Sequence, residues 1–578
     1  LWKREWFGFH LTSVMLHACT AVGVYFVTRR LLASTNGAGK TIRSTPVVIS
    51  ATFTAALFAA HPLRAESVAW LAERRDVLAG FFYVLAVGCY LRYAAPGEVR
   101  LPAESRFGDP LTDVRDSDSG RRIFYAGAVL LCAVSLLAKA SAISLPVVLV
   151  ILDVYPLRRF TGYKPVPHIW LWIEKLPFFA LALAAGARAL IAQEQVGALH
   201  GYAQHDAWVR LAQACYGLMF YLWKTLWPTN LGPLYEIPPR EVLFGPMLWL
   251  SVAVVLAVGF TAVRLRRRRP AVPAALALYL VILFPVLGFA QSGPQLVADR
   301  YSYLSCIGLA VLAGAALLRF LQSDAWGRIP NRRAIVALAS ILMVVSLAVP
   351  TYRQAAIWIA PWTLWARGVR ASPNSAIAHT NYADALVRKE LFAKAAHHYQ
   401  RALELNPDDA VALHHYADLC KQFGHVDGAI YHYLRALRVD PDRQRACYSL
   451  AQMLIAKGRA RKAVDVLRDG ARRHPDALEM IDYLAQLLST HPDENVRNAE
   501  EAVKWAVYVN RARRSRHVPA LLTLATAYAD AGRFNEAVDT ARQALELAGP
   551  QSDDWLTAEL ERRLVLFREE KPYHFGEW

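Results

Sequence analysis

The densest set of ionisable residues in this chain lies in one block, "HPLRAESVAWLAERRDVLAGFFYVLA", where His61, Glu66, Glu73, Arg74, Arg75 and Asp76 stand just before and at the start of an apolar run. Charged groups at membrane depth are costly, so they line a site or pair with one another. On the residues alone both readings stay open. Arginine forks match phosphate with two parallel hydrogen bonds, so Arg74 and Arg75 beside Glu73 and Asp76 suit an anionic headgroup. Lys139, in "SLLAKASAISLP", sits between two apolar stretches. It suits a snorkelling anchor or a phosphate contact, and spacing slightly favours the anchor. Asp299 and Arg300 open a further run, "VADRYSYLSCIGL", with Tyr301 and Tyr303 behind them. Tyrosines at span ends often serve as interfacial anchors; the adjacent Asp–Arg pair is less easily explained that way. His10 and His17 fall on one helical face, where core packing is the simpler reading.

Other chemistries lack their residues. "GAGK" at 37–40 has no preceding strand and is not a phosphate loop, and no HExxH or nucleophile elbow occurs. Cys19, Cys89, Cys132, Cys215 and Cys306 lie in apolar runs, Cys420 and Cys447 lie further on, and no CxxC pair exists. Neither a zinc site nor a disulfide framework follows. His397, His398, His414, His415 and His432 are clustered, but tandem histidines on a helix point to different faces, so no metal is expected.

The elements that must position these residues are membrane helices. A span needs roughly 20 mostly apolar residues, and candidates stand at 7–32, 46–60, 76–93, 123–138, 143–155, 169–192, 245–263, 272–290, 301–321 and 334–350. The stretch 208–227 is aromatic and carries Arg210 and Lys224, which suits an interfacial helix. Basic clusters in short loops orient such a chain. Arg29, Arg30, Lys40 and Arg43 form the first cluster; Arg121–Arg122, Arg158–Arg159, 264–269 and Arg332–Arg333 follow. All fall on the cytoplasmic side if 208–227 lies along the far surface. The named site residues, with Glu194, Glu236 and Gln291, then face the extracytoplasmic side. So does everything after the last span. The mixed-charge loop 92–122 reads as a solvated cytoplasmic linker.

That later part carries a repeat. Pro373, Pro407, Pro441 and Pro475 recur every 34 residues, the period of the tetratricopeptide helix–turn–helix unit. Small residues recur in phase: Ala383, Ala417 and Ala451; Ala395, Ala429 and Ala463; Ala402, Ala436 and Gly470. Helices within and between such units approach closely only at small side chains. A looser unit surrounds Ala485 and Ala502, with an insertion near His491, and a further unit shows Ala525, Ala537 and Ala544. The division expected is a transmembrane domain at 1–355, a linker at 356–372, repeats at 373–550 and a capping helix or tail at 551–578.

Composition agrees with a segregated chain. Mean hydropathy is +0.22, yet 19% of the 578 residues are charged. Apolar runs precede Pro350 and charge is dense after Pro373. Much of the net charge of +18 flanks the apolar runs, and no basic stripe interleaved with aromatic residues argues for nucleic acid. The first residue is Leu, with no basic leader before it, so an incomplete N-terminus is expected. The Ala- and Arg-rich, Lys-poor composition leans bacterial.

"GFHLTSVMLHA", the His61 block, "LLAKASAISLPVVLVILDVYPLRR", "ADRYSYLSCIGL" and the terminal repeats occur in this order. In this the chain resembles the transmembrane and tetratricopeptide-repeat-containing O-mannosyltransferases and their bacterial relatives. The resemblance implies an all-α fold: a GT-C-like polytopic domain followed by an extracytoplasmic α-solenoid. It also implies a membrane glycosyltransferase, moving a sugar, usually mannose in that family, from a polyprenyl-phosphate donor to protein Ser or Thr hydroxyls. Arg74, Arg75, Lys139 and Arg300 would then stabilise charge on the leaving phosphate. His61, Glu66, Glu73, Asp76, Asp299 and Tyr301 would shape the substrate site. The family's acidic base is expected in a loop before Leu1, so the fragment itself is expected to lack it. The repeats would hold the acceptor or a partner protein. The expected location is a bacterial inner membrane with periplasmic repeats, or an endomembrane with luminal ones. No cofactor besides the lipid-linked sugar donor follows. The competing reading is a non-catalytic, membrane-anchored scaffold that gathers proteins through its repeats. A transporter would need internal symmetry and charges at mid-span, and neither is present.

Overall fold

Inside a bilayer the backbone must satisfy its own hydrogen bonds, so long apolar runs become helices. The computed structural model describes residues 6–35, 44–94, 118–161, 166–195, 206–289, 293–323, 331–548 and 554–574, nearly all helical. Lys40, Arg43, Gln291, the "GAGK" stretch and most of the loop 92–122 lie outside the described residues. The chain divides into two units, Leu1–Pro373 and Asn374–Trp578.

Among the described residues of the first unit six helices are long and apolar enough to cross a membrane: Phe7–Ser34, Leu71–Ala94, Ser119–Ala138, His168–Gln195, Arg240–Leu265 and Ala334–Ile359. Two further pairs are bent, Thr45–Ala60 with Pro62–Ala69 by 55° and Asp299–Ser305 with Ile307–Gln322 by 52°. The count is therefore six, or eight with each bent pair as one span, against the ten runs read from sequence. The runs at 143–155 and 272–290 account for the difference. They fold as Leu145–Val154 and Ala271–Leu283, about 15 and 20 Å long at 1.5 Å per residue, against a hydrocarbon core of about 30 Å. The second stops where Pro285, lacking an N–H, follows Phe284. The helix Ala207–Leu226 buries Val209, Ala212, Phe220 and Tyr221 along one face and is not among the span-grade helices.

Small residues let these helices touch. A Cβ on Gly314 would lie 2.1 Å from Thr54 Oγ1 and 3.0 Å from the Ser50 carbonyl. Glycine there allows Ile307–Gln322 to cross Thr45–Ala60 at backbone distance.

Three other segments meet at a buried ionic knot. Lys175 Nζ donates to Asp153 Oδ2 at 2.6 Å and to Glu174 Oε1 at 2.6 Å. Arg159 pairs with Asp153 at 3.3 Å and also with Glu174. The Tyr90 hydroxyl reaches Asp153 at 2.7 Å. Two cations face two carboxylates, so the knot is neutral. From sequence Arg159 is one of the orienting basic residues, and Glu174–Lys175 fall inside the apolar run 169–192. The helix breaks there, between His168–Ile173 and Leu176–Gln195. The stretch expected as a linker contains the helix Pro361–Ala371. Arg367 and Ser372 bind the carbonyls of Leu231 and Leu234, at 2.9 and 3.2 Å.

The second unit is built of helix pairs: Ala376–Val387 with Phe392–Leu405, Ala410–Gln422 with Val426–Val439, Gln444–Ala456 with Ala460–Arg473, Leu478–Thr490 with Ala499–Ala512, and Val518–Asp530 with Phe534–Ala548. Asp554–Arg568 follows. Ala383, Ala417, Ala451 and Ala485 are fully buried, as are Ala395, Ala429 and Ala463. The turn between the paired helices needs a left-handed residue. Gly424 and Gly458 supply it at φ 71° and 69°, and Glu390 occupies the same repeat position at φ 58°. For an L-residue that conformation costs roughly 1–2 kcal/mol.

A further periodic feature ties helix to helix. The Tyr399 hydroxyl donates to Asp384 at 2.5 Å, and Tyr433, one repeat on, donates to Asp418. Asp384 also pairs with His415 of the next repeat at 2.8 Å. That hydrogen bond holds the His415 imidazole above its ordinary range. Burial instead lowers neighbouring His398 to about 4, with His379 and His397 adding to the shift. A raised histidine stabilises fully below its unfolded pKa of about 6.5, and the contribution fades as pH climbs through the folded value. Wild type should therefore exceed His415→Gln in stability at pH 5.5 by more than at pH 8.5. Hydrogen exchange of peptides from 376–439 at both pH values reads this difference, and equal differences would remove the ion pair from the account.

Candidate functional site

The bent pairs carry the site. Pro62 cannot continue the preceding helix, so the chain leaves it at His61 in extended conformation. The short elements Pro62–Arg64, Ala65–Ala69 and Leu71–Glu73 then lead into Arg74–Ala94. Opposite them, Gln295–Val297 pairs with Tyr235–Glu236, and Asp299–Tyr301 turns into Ser302–Ser305.

The two segments meet through Glu66 and Arg300. The Arg300 backbone N–H donates to Glu66 Oε2 at 2.8 Å, and its guanidinium donates to Oε1 at 2.5 Å. Arg300 Nε also lies 3.6 Å from Glu73 Oε1. Lys139 reaches Glu73 Oε2 at 3.0 Å and pairs with Asp76. Arg75 completes a ring of cations around Glu73, at 3.3 Å. Three carboxylates thus face three cations. Glu66, Glu73 and Asp76 are buried, and Arg75 alone keeps most of its side chain, 60%, exposed.

The other expected residues lie around this ring in distinct roles. Asp299 is buried and accepts from the Tyr235 hydroxyl at 3.0 Å. Tyr301 lies under the Arg300 guanidinium, 4.9 Å to the ring centre, and Trp70 flanks the same guanidinium at 5.3 Å. Arg74 does not join the ring; it sits over the Phe9 ring at 4.8 Å. His61 is an anchor. Its Nε2 bonds the Thr225 carbonyl at 3.0 Å and its Nδ1 accepts from Leu63 N–H at 3.3 Å. His17 bonds the Tyr303 hydroxyl at 2.8 Å and the Ala59 carbonyl at 3.2 Å. His10 is not brought to it by any contact among the described residues.

Arg64 was missed in the sequence. It is 3% exposed, donates to Ser302 Oγ at 3.1 Å, and has no carboxylate partner among the described residues. Its guanidinium rests over Phe58 and Tyr303, at 5.3 and 5.8 Å. A buried cation without a counter-ion is the group in this site most in want of an anion. The available signal was its place inside the His61 block, three residues after the histidine.

As it stands the ring is closed. The space at Asp76, Lys139, Arg300 and Tyr301 measures about 30 Å³, room for about one water. Among the described residues no group of three or more His, Cys, Asp or Glu side chains is placed to hold a metal ion.

Family models for the tetratricopeptide repeat match residues 422–488, 376–409 and 518–550. The chain is 22% identical over 444 residues to Protein O-mannosyl-transferase TMTC1 of Homo sapiens, covering 69% of this chain and 45% of the human one. It is 34% identical over 156 residues to Protein O-mannosyl-transferase Tmtc2 of Drosophila melanogaster, covering 27% and 13% of the two chains. This chain is a distant, partial homologue of both the O-mannosyltransferase and the tetratricopeptide-repeat proteins. Its matches span less than half the length of those curated relatives. Among solved structures it is similar to YrrB, a repeat protein with an unusual peptide-binding site, at 19% identity and TM-score 0.30, over 34% of this chain and 97% of that one. MamA matches at 17% identity and TM-score 0.27, over 30% and 91%.

Proposed function

We propose that this chain is a membrane-anchored tetratricopeptide protein that holds a polypeptide partner on its repeats. The observation that carries this reading is a polar row on the first helix of successive pairs. Asn381, His415, Ser449 and Tyr483 stand one repeat apart, and Asp384, Asp418, Gln452 and Gln486 lie three residues after them on the same face. The alanines between the two sets are buried. A ladder of donors and acceptors at repeat spacing suits the backbone of an extended peptide. With Arg29 and Arg30 on the cytoplasmic side, an even number of crossings, six or eight among the described residues, supports placing the repeats outside the cytoplasm, in the periplasm of a bacterial cell. The test is a library of extended peptides offered to the full chain in lipid nanodiscs. Selected peptides should bind the Gln452→Lys, Ser449→Glu variant at least tenfold more weakly. Selection of nothing above scrambled peptides, or equal binding to the variant, overturns the reading.

The ring around Glu66 and Arg300 favours a second reading, transfer of a sugar, mannose in the relatives' names, from a polyprenyl phosphate to a Ser or Thr hydroxyl. The bond from the anomeric carbon to phosphate oxygen breaks and one to the hydroxyl oxygen forms, while the hydroxyl proton passes to a carboxylate. Arg75, Lys139 and Arg300 stabilise the departing phosphate once they exchange their carboxylates for it, and Arg64 adds a charge already without a counter-ion. Donor entry requires the ring to open. Membranes supplied with radiolabelled polyprenyl-phosphate mannose should yield alkali-labile label on protein, reduced at least tenfold by Arg75→Ala. That side chain is exposed enough to remove without disturbing the core. Absence of label leaves the scaffold reading alone.

A further inference from the structure

The membrane unit holds a second, larger space beside the one at the ring, with Ile282 and Leu304 in the wall of both. It measures about 590 Å³, within the range of about 300–1,000 Å³ that encloses small molecules. Val27, Leu31, Val87, Leu152, Leu278 and Val311 wall it with apolar side chains. One rim is unlike the rest: Arg158, Arg267, Arg268, Arg269 and Arg319 all border it. All five are exposed, and none forms an ion pair among the described residues. Arg158 follows the helix Leu145–Val154, and Arg319 lies in the last turn of Ile307–Gln322. The chain segments leading into those two helices carry Lys139 and Arg300 of the ring. The arginine rim and the ring therefore stand at opposite ends of the same helices, about 24 Å apart along the 16 residues of Ile307–Gln322.

We propose that this cavity binds an anionic diacyl phospholipid, with an acyl chain between the apolar walls and the phosphodiester on the arginine rim. Five cations without counter-charges create a local field that one phosphate partly neutralises, and guanidinium forks suit its oxygens. Basic pockets between membrane helices take anionic headgroups for this reason. A zwitterionic lipid carries its own ammonium and gains less. An acidic peptide would leave the apolar walls unexplained. A polyprenyl phosphate held for sugar transfer would place its phosphate at the ring, the other end of the helices. The proposal does not depend on whether sugar transfer occurs.

Native mass spectrometry of the full chain in detergent, given equal phosphatidylglycerol and phosphatidylcholine, tests it. Phosphatidylglycerol should be retained roughly tenfold or more over phosphatidylcholine. The Arg267→Gln, Arg268→Gln, Arg269→Gln variant should lose most of that preference, tenfold or more, with phosphatidylcholine retention unchanged. These arginines are exposed, so the fold should survive the change. Val311→Trp, which fills the cavity and leaves the rim intact, should lower phosphatidylglycerol retention to a similar degree. Equal retention of the two lipids, or wild-type behaviour of the arginine variant, overturns the proposal. So does displacement of phosphatidylglycerol by equimolar polyprenyl phosphate, which would assign the cavity to an isoprenoid chain.

Discussion

Replacing Arg300 by Met is expected to destabilise the membrane unit by about 3–5 kcal/mol. The substitution leaves the Glu66 carboxyl buried with only the 2.8 Å backbone N–H of residue 300 to serve it. Glu73 keeps Lys139 at 3.0 Å and Arg75 at 3.3 Å, so the penalty falls mainly on Glu66. The double variant Arg300→Met, Glu66→Gln removes both charges and should recover most of the loss. Contacting residues show such non-additivity, commonly about 0.5–3 kcal/mol. Thermal unfolding in detergent, followed by tryptophan fluorescence, measures the cycle; strictly additive losses would mean that the pair is not coupled. The double variant also separates structure from chemistry. If it folds and still transfers sugar at the wild-type rate, Arg300 has no part in the reaction.

Lys175→Met should destabilise by a similar amount, again about 3–5 kcal/mol. Lys175 and Asp153 are both fully buried. Without the ammonium, Asp153 keeps the Tyr90 hydroxyl at 2.7 Å and shares Arg159 with Glu174. One uncompensated negative charge then remains in the knot. An exposed pair such as Arg401–Glu404 provides the contrast: with 42% and 63% of its side chains exposed, its removal should cost at most about 1 kcal/mol. Lys175→Met with Asp153→Asn restores neutrality and should regain most of the stability. Equal effects of Lys175→Met and Arg401→Met on the unfolding temperatures of their own units would show that the knot is solvated.

Both predictions rest on pairings that no local pattern in the chain announces. The His61 block marked Glu66, Glu73, Arg75 and Asp76 as costly residues in need of a role. Whether they would pair or hold an anion stayed open, because both need the same residue types. In the folded chain the ring is neutral and closed, which places pairing first and makes any anion a competitor for Arg300 and Lys139. Arg64 shows the reverse failure. A lone arginine in an interfacial loop looks ordinary, and its isolation from carboxylates appears only when Phe58, Tyr303 and Ser302 pack around it.

What was legible was local or periodic. A run of apolar residues is helical wherever it sits in a bilayer, so most spans could be placed without knowing their neighbours. A 34-residue period repeats one helix–turn–helix contact set, so the buried alanines follow from the unit alone, whereas the left-handed turn at 390, 424 and 458 appears only in the folded chain. The short runs at 143–155 and 272–290 look like spans because apolar composition does not reveal that their helices reach only about 15 and 20 Å, against a hydrocarbon core of about 30 Å. Beyond the local pair Arg75–Glu73, partners were not legible. Glu66 meets Arg300 across 234 residues and Arg64 meets Ser302 across 238. Electrostatic attraction depends on distance in space, and those distances exist only after the helices have chosen their neighbours through packing.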